Sequence, residues 1–116
     1  MTDDALHDRL MVDELVTAVR EFLESDVMPA TEGRLQFHAR VAVNVLGMVE
    51  RELALGPGQA AAHAEGLARL GVDDEAELAA SIRTGALDDR YDEVVDFVRQ
   101  TVRAKLEVAN PKYLES

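Results

Sequence analysis

Apolar residues recur at helical spacing over most of the chain. From Asp8 to Asp26 they fall at Met11, Val12, Leu15, Val16, Val19, Phe22 and Leu23, with Asp and Glu on the other side, which predicts an amphipathic helix. Val27 and Met28 extend its edge to Pro29, where the missing amide hydrogen and the restriction on the preceding residue predict a stop. The linker is short, so the first two helices are expected to be antiparallel neighbours, with Thr31 as N-cap of the second. That second helix, Gly33 to Gly56, is the centre of the pattern. Leu35, Phe37, Val41, Ala42, Val45, Leu46, Met48, Val49 and Leu53 form one arc over more than half its circumference, and an arc that wide needs neighbours on more than one side.

Gly56-Pro57-Gly58 is the clearest punctuation. Gly56 suits a left-handed cap and Pro57 a first helical turn, so a new helix is expected to start there and to end at Gly71. Gly66 weakens it. Asp73 or Asp74 is expected to cap a short fourth helix through Leu78, Ala79 and Ile82, closed by Gly85. Asp88 and Asp89 then cap the last long helix, whose stripe is Tyr91, Val94, Val95, Val98, Val102 and Leu106 and which stops at Asn110-Pro111. The Val-rich run from Val41 to Val49 continues the helical period and has no turn residues at its ends, so no strand is predicted. The expectation is an all-α bundle of four main helices plus one short helix, with a long central helix 2. It forms one domain over residues 1–116, with a frayed start at 1–7 and a tail at 111–116 in which Tyr113 and Leu114 dock back.

The central helix carries polar groups on its packed side. Arg34, His38 and Glu52 lie inside the apolar arc, while Arg40, Asn44 and Arg51 line an edge beside Phe37 and Met48. Burial of such groups is costly unless each finds a partner, so either the interior supplies one or the stripe faces a second molecule. The ordinary reading of His38 is a satisfied core histidine, with acid–base or ligand roles as the alternative. Arg40, Asn44 and Arg51 are either a salt-bridged flank or a partner surface, where Arg beside an aromatic residue is enriched. Arg34 and Glu52, about 27 Å apart along a helix, cannot pair with each other.

Charge sharpens this picture. The net charge of −11 argues against nucleic acid and anionic membranes as partners. Residues 1–32 hold nine acids and two bases, residues 33–55 two acids and three bases, and residues 56–116 twelve acids and seven bases. Acidic outer helices therefore flank a nearly neutral, Arg-bearing centre and would keep its arginines paired. Zero Cys rules out disulfides and thiolate metal sites. With no membrane-length apolar run and no leader pattern, the cytoplasm is the expected compartment.

Catalytic signatures are sparse. There is no phosphate-cradling Gly-rich loop, no dinucleotide fingerprint and no zinc-protease helix, and no His follows a Glu at di-metal spacing. Ser25, Ser81 and Ser116 have no base nearby in sequence. His7 and His63 have no companion at metal-ligand spacing and are expected to be solvated. No catalytic, metal or cofactor-binding residue is assigned and no cofactor is expected. An enzyme relying on His38, flanked by Arg34 and Arg40, is the weakest of the readings, since those arginines lie about 120° apart on the wheel.

GRLQFHARVAVNVLGMVERELALGP, with AVREFLESDVMPA before it and IRTGALDD and VRAKLEVANPKYL after it, resembles a bacterial family of small proteins known as a domain of unknown function. The resemblance spans residues 12–114. Members of that family are typically encoded beside, or fused to, an aminoglycoside-phosphotransferase-like kinase and an acyl-CoA dehydrogenase-like protein. In levulinate and 4-hydroxyacid catabolism the small protein is implied to act with the kinase, which phosphorylates the 4-hydroxyl of a hydroxyacyl-CoA. The resemblance therefore implies a non-catalytic accessory subunit of such a kinase. Its candidate partner or ligand surface is Arg34, Phe37, His38, Arg40, Asn44, Met48 and Arg51, with Tyr113 from the tail. The alternative is a homodimeric helical module that binds an acyl-CoA or small carboxylate at the arginines, or a protein with only a structural or interaction role.

Overall fold

The computed structural model describes residues 2–115, with the side chains of residues 8, 9 and 11–115. The all-α class is observed, and no strand occurs among the described residues. Helix α1 (Thr2–Phe22) runs through a π turn (Leu23–Val27) into the single turn α2 (Met28–Ala30). Then come α3 (Gly33–Arg69), α4 (Glu75–Thr84), a 3-10 turn (Asp88–Arg90), α5 (Tyr91–Ala109) and a closing 3-10 stretch (Pro111–Glu115). Met1, Ser116 and the side chain of His7 lie outside the described residues. The chain divides into two compact units, Met1–Leu55 and Gly56–Ser116.

The first unit is an antiparallel helical hairpin of α1 and the N-terminal part of α3. At one end Arg9 donates from Nη2 to the Leu53 carbonyl at 2.6 Å. At the other, Gln36 Nε2 donates to the carbonyls of Met28 and Thr31, both at 2.9 Å. Between them, Thr17 Oγ1 and Arg20 Nε converge on the Glu50 carboxylate at 2.8 and 2.5 Å. Arg20, and then Thr17, hold the Glu50 carboxyl below the usual carboxylate range, and the bond to Glu50 raises the Arg20 pKa further. The main cross-helix ion pair thus runs from an arginine on acidic α1 to a carboxylate on α3, the reverse of the expected direction.

Pro29 does not stop the first helix. Met28 stays right-handed helical at φ −60°, ψ −46°, and its amide bonds to the Leu23 carbonyl. The wider π turn ahead of Pro29 relieves the usual proline clash and absorbs the irregularity. The path breaks at Thr31, which is extended. Its hydroxyl donates back to the Val27 carbonyl at 2.7 Å, so Thr31 closes the preceding turn and does not cap α3. Gly33, at φ 65°, makes the left-handed step into α3.

The expected break at Gly56 is also absent, because α3 continues through Pro57 to Arg69. A proline at position 57 has no N–H to offer the Leu53 carbonyl four residues back. Arg9 supplies that hydrogen bond from the neighbouring helix.

The second unit packs Leu67, Leu70, Val72, Leu78 and Phe97 into a buried core, with Leu87 and Val94 against it. Gly71 ends α3 at φ 76°. Asp74 caps α4 by accepting from the Glu77 amide at 2.8 Å and Gly85 closes the helix at φ 81°, both as expected; Glu77 also accepts from the Asp73 amide. Asp88 and Asp89 do not cap α5, since they belong to the 3-10 turn before it. Arg90 occupies the cap position without a side-chain cap bond of its own. Its Nη2 instead donates to the Arg69 carbonyl at 2.7 Å, at the C-terminus of α3. The expected α5 stripe is rotated: Phe97 is the buried residue, whereas Tyr91, Val98 and Val102 are exposed. The cause is Gly66, whose bare backbone leaves the hollow that the Phe97 ring fills.

Candidate functional site

In the first unit Ala39 is the one buried apolar residue among the described side chains. The hairpin instead leaves large apolar side chains open on both helices, including Leu15, Phe22, Leu35 and Phe37 at 55–63% exposure. Glu50 reaches α1, and Ala39, Val43 and Leu46, buried or half-buried, share its face of α3 by helical register.

One outward flank of α3 holds most of the sequence candidates. Phe37 and Met48 are exposed along it with Val41, and Arg40 and Asn44 are exposed beside them. Arg51 is half-buried, and its guanidinium lies over Gly47, 3.4 Å from where a Cβ would stand. Arg34 and His38 are both exposed, and Arg34 Nε donates to His38 Nε2 at 3.3 Å. The His38 ring meets Phe37 edge-on, with centroids 5.8 Å apart. The core-histidine reading of His38 is therefore corrected, because its position points away from the row that contacts α1. Tyr113 is exposed in the second unit. The flank offers an apolar strip edged by cationic and amide groups, which is binding chemistry; it contains no nucleophile paired with a base.

A second constellation escaped the sequence reading. His63, expected to be solvated, is half-buried in the second unit: Nε2 lies 2.9 Å from Glu75 Oε1, and Nδ1 lies 3.5 Å from Thr101 Oγ1. Its ring is tilted over Phe97 with centroids 5.0 Å apart. A cleft of about 230 Å³ opens beside it, lined in part by Gln59, Gln100 and Arg103. The order Thr–His–Glu resembles a nucleophile triad, but the Thr101 hydroxyl also has the Phe97 carbonyl of its own helix within reach, at 3.0 Å. The trio joins α3, α4 and α5. The only sequence signal was helical register: His63 lies one turn before Leu67, on the same face of α3.

Among the described residues no group of His, Cys, Asp or Glu side chains is placed to hold a metal ion. No described helix is long and apolar enough to cross a membrane. No curated protein and no solved structure matches the chain. Residues 29–113, from the α2 turn to the closing 3-10 stretch, match the family described as a domain of unknown function (DUF6285), and the chain belongs to that family.

Proposed function

We propose that the chain is a non-catalytic partner subunit that binds a kinase of the aminoglycoside-phosphotransferase fold through the outward flank of α3. The observation that carries this reading is the open strip Phe37, Val41 and Met48 beside Arg40 and Asn44. An aromatic and an arginine on an apolar strip are what interface hot spots are built from. The kinase as partner rests on the sequence resemblance, and a hydroxyacyl-CoA as the substrate of the complex rests on the same ground. A Phe37→Ala, Arg40→Glu double variant alters two exposed side chains and is expected to keep its helical signal and melting temperature. Its affinity for the kinase, measured by titration calorimetry, is expected to fall by about tenfold or more. Unchanged affinity in a folded variant would rule out this flank.

A further inference from the structure

The strip assigned to the kinase leaves a second apolar surface unused. On α1, Val12, Leu15, Val19 and Phe22 are exposed at alternating spacings of three and four residues. On α3, Leu35, His38, Ala42, Val45 and Val49 repeat the same spacing, which is the seam of a left-handed helix pair. Each stripe is turned about a quarter to a third of a turn from the row facing the other helix. Both rotations have the same sense along their own chains. Because the chains are antiparallel, both stripes emerge on one side of the hairpin, away from Phe37, Arg40 and Asn44.

We infer that this side is covered by a second copy of the chain, with α1 of each copy lying on α3 of the other in a four-helix bundle whose two-fold axis runs along the helices. Three observations select this occupant and this orientation. First, Met11, Val12, Leu15, Val19, Phe22, Leu35, Val45 and Val49 are 37–63% exposed, leaving on the order of 700 Å² of apolar surface, close to the roughly 800 Å² per partner of a stable interface. Second, charge favours unlike helices. Residues 8–27 hold six acids and two bases, whereas residues 33–55 hold two acids and three bases. Laying α1 on α1 would bring the two acidic helices together, whereas α1 on α3 brings an acidic helix to an Arg-bearing one. Third, the side chains mesh. The bonds from Arg9 to Leu53 and from Gln36 to Met28 fix which residues share a level in the hairpin, and a two-fold along the helices preserves those levels between copies. Leu15 then enters between Val45 and Val49 of the second copy, Val19 between Val45 and Ala42, and Phe22 between Ala42 and His38, the large ring opposite the smallest residue of the seam.

The chain has no cysteine, so single cysteines report this geometry directly. Light scattering on the full chain is expected to give twice the 12.7 kDa chain mass, and Leu15→Glu, at an exposed position, is expected to give a folded monomer. Oxidation of an equimolar mixture of Leu15→Cys and Val45→Cys chains is expected to yield the mixed disulfide dimer in excess over either self-linked product. A monomeric wild-type chain at tens of micromolar would overturn the inference. Preferential Leu15→Cys self-linkage would overturn the orientation by indicating α1 on α1. Because the kinase flank lies apart from this face, Phe37→Ala with Arg40→Glu is expected to leave the dimer mass unchanged, so failure of either idea is read separately.

Discussion

Glu50 shows how one side chain sets the terms of the hairpin. It gathers Thr17 and Arg20 across the helix pair at 2.8 and 2.5 Å, and the Arg20 and Glu50 side chains keep 24% and 22% of their surface in water. That partial exposure puts its worth at the lower end for a charge-assisted bond, so Glu50→Gln is expected to cost about 1 kcal/mol at pH 7 in urea unfolding. The pH dependence has a definite sign. A carboxyl whose folded pKa is depressed stabilises fully above its unfolded value near ~4.3. That contribution is lost as pH falls through the lower folded value. The wild-type advantage over Glu50→Gln should therefore shrink as the pH falls below about 4; an advantage independent of pH would contradict the pairing.

Two glycines in α3 should respond to alanine with opposite signs. A Cβ at Gly66 would stand 2.7 Å from two Phe97 ring carbons, whereas a Cβ at Gly58 meets nothing within 4 Å. Gly58→Ala is expected to stabilise by about 0.5–1 kcal/mol through helix propensity. Gly66→Ala is expected to destabilise by about 1–3 kcal/mol, because the ring must leave its hollow. Thermal melts of both variants compare the two directly. The sequence shows Gly66 only as a weak helix former; its role as the seat of Phe97 appears once α5 is laid against it.

Among elements, the long helix is the main departure from the sequence reading. Gly56-Pro57-Gly58 has the chemistry of a helix end, and by local rules α3 should stop there. Arg9, 44 residues away, serves the carbonyl that Pro57 cannot. No local pattern reveals such a partner. A double-mutant cycle isolates the effect: Arg9→Ala is expected to cost about 1 kcal/mol with Pro57 in place and much less with Pro57→Ala, whose amide restores the backbone bond. Equal costs in both backgrounds would mean that Arg9 acts elsewhere. Element ends set by their own residues were legible: Asp74, Gly71 and Gly85 act as their types dictate. Thr31 and Asp88 were not: the Thr31 hydroxyl turns back to the Val27 carbonyl, and Asp88 lies in the 3-10 turn ahead of α5.

At the scale of the whole molecule, the all-α class follows from periodicity alone, since every strong stripe has helical spacing. The candidate surface was legible as a set of polar residues that a packed helix should not carry. Its exposure was not, because the apolar arc of the central helix is wide enough to suit a core or an interface. His63 was missed because its partners Glu75 and Thr101 come from two other helices. What distinguishes the molecule is the contrast between a second unit with a closed core around Phe97 and a hairpin whose large apolar residues stay open. A hairpin of that kind is suited to binding, and the proposed partner subunit depends on it. Co-expression of the chain with the phosphotransferase-like kinase, followed by size-exclusion chromatography with light scattering, tests this most directly. One co-eluting species whose mass includes both proteins is expected; separate elution at their individual masses would rule out the partner subunit.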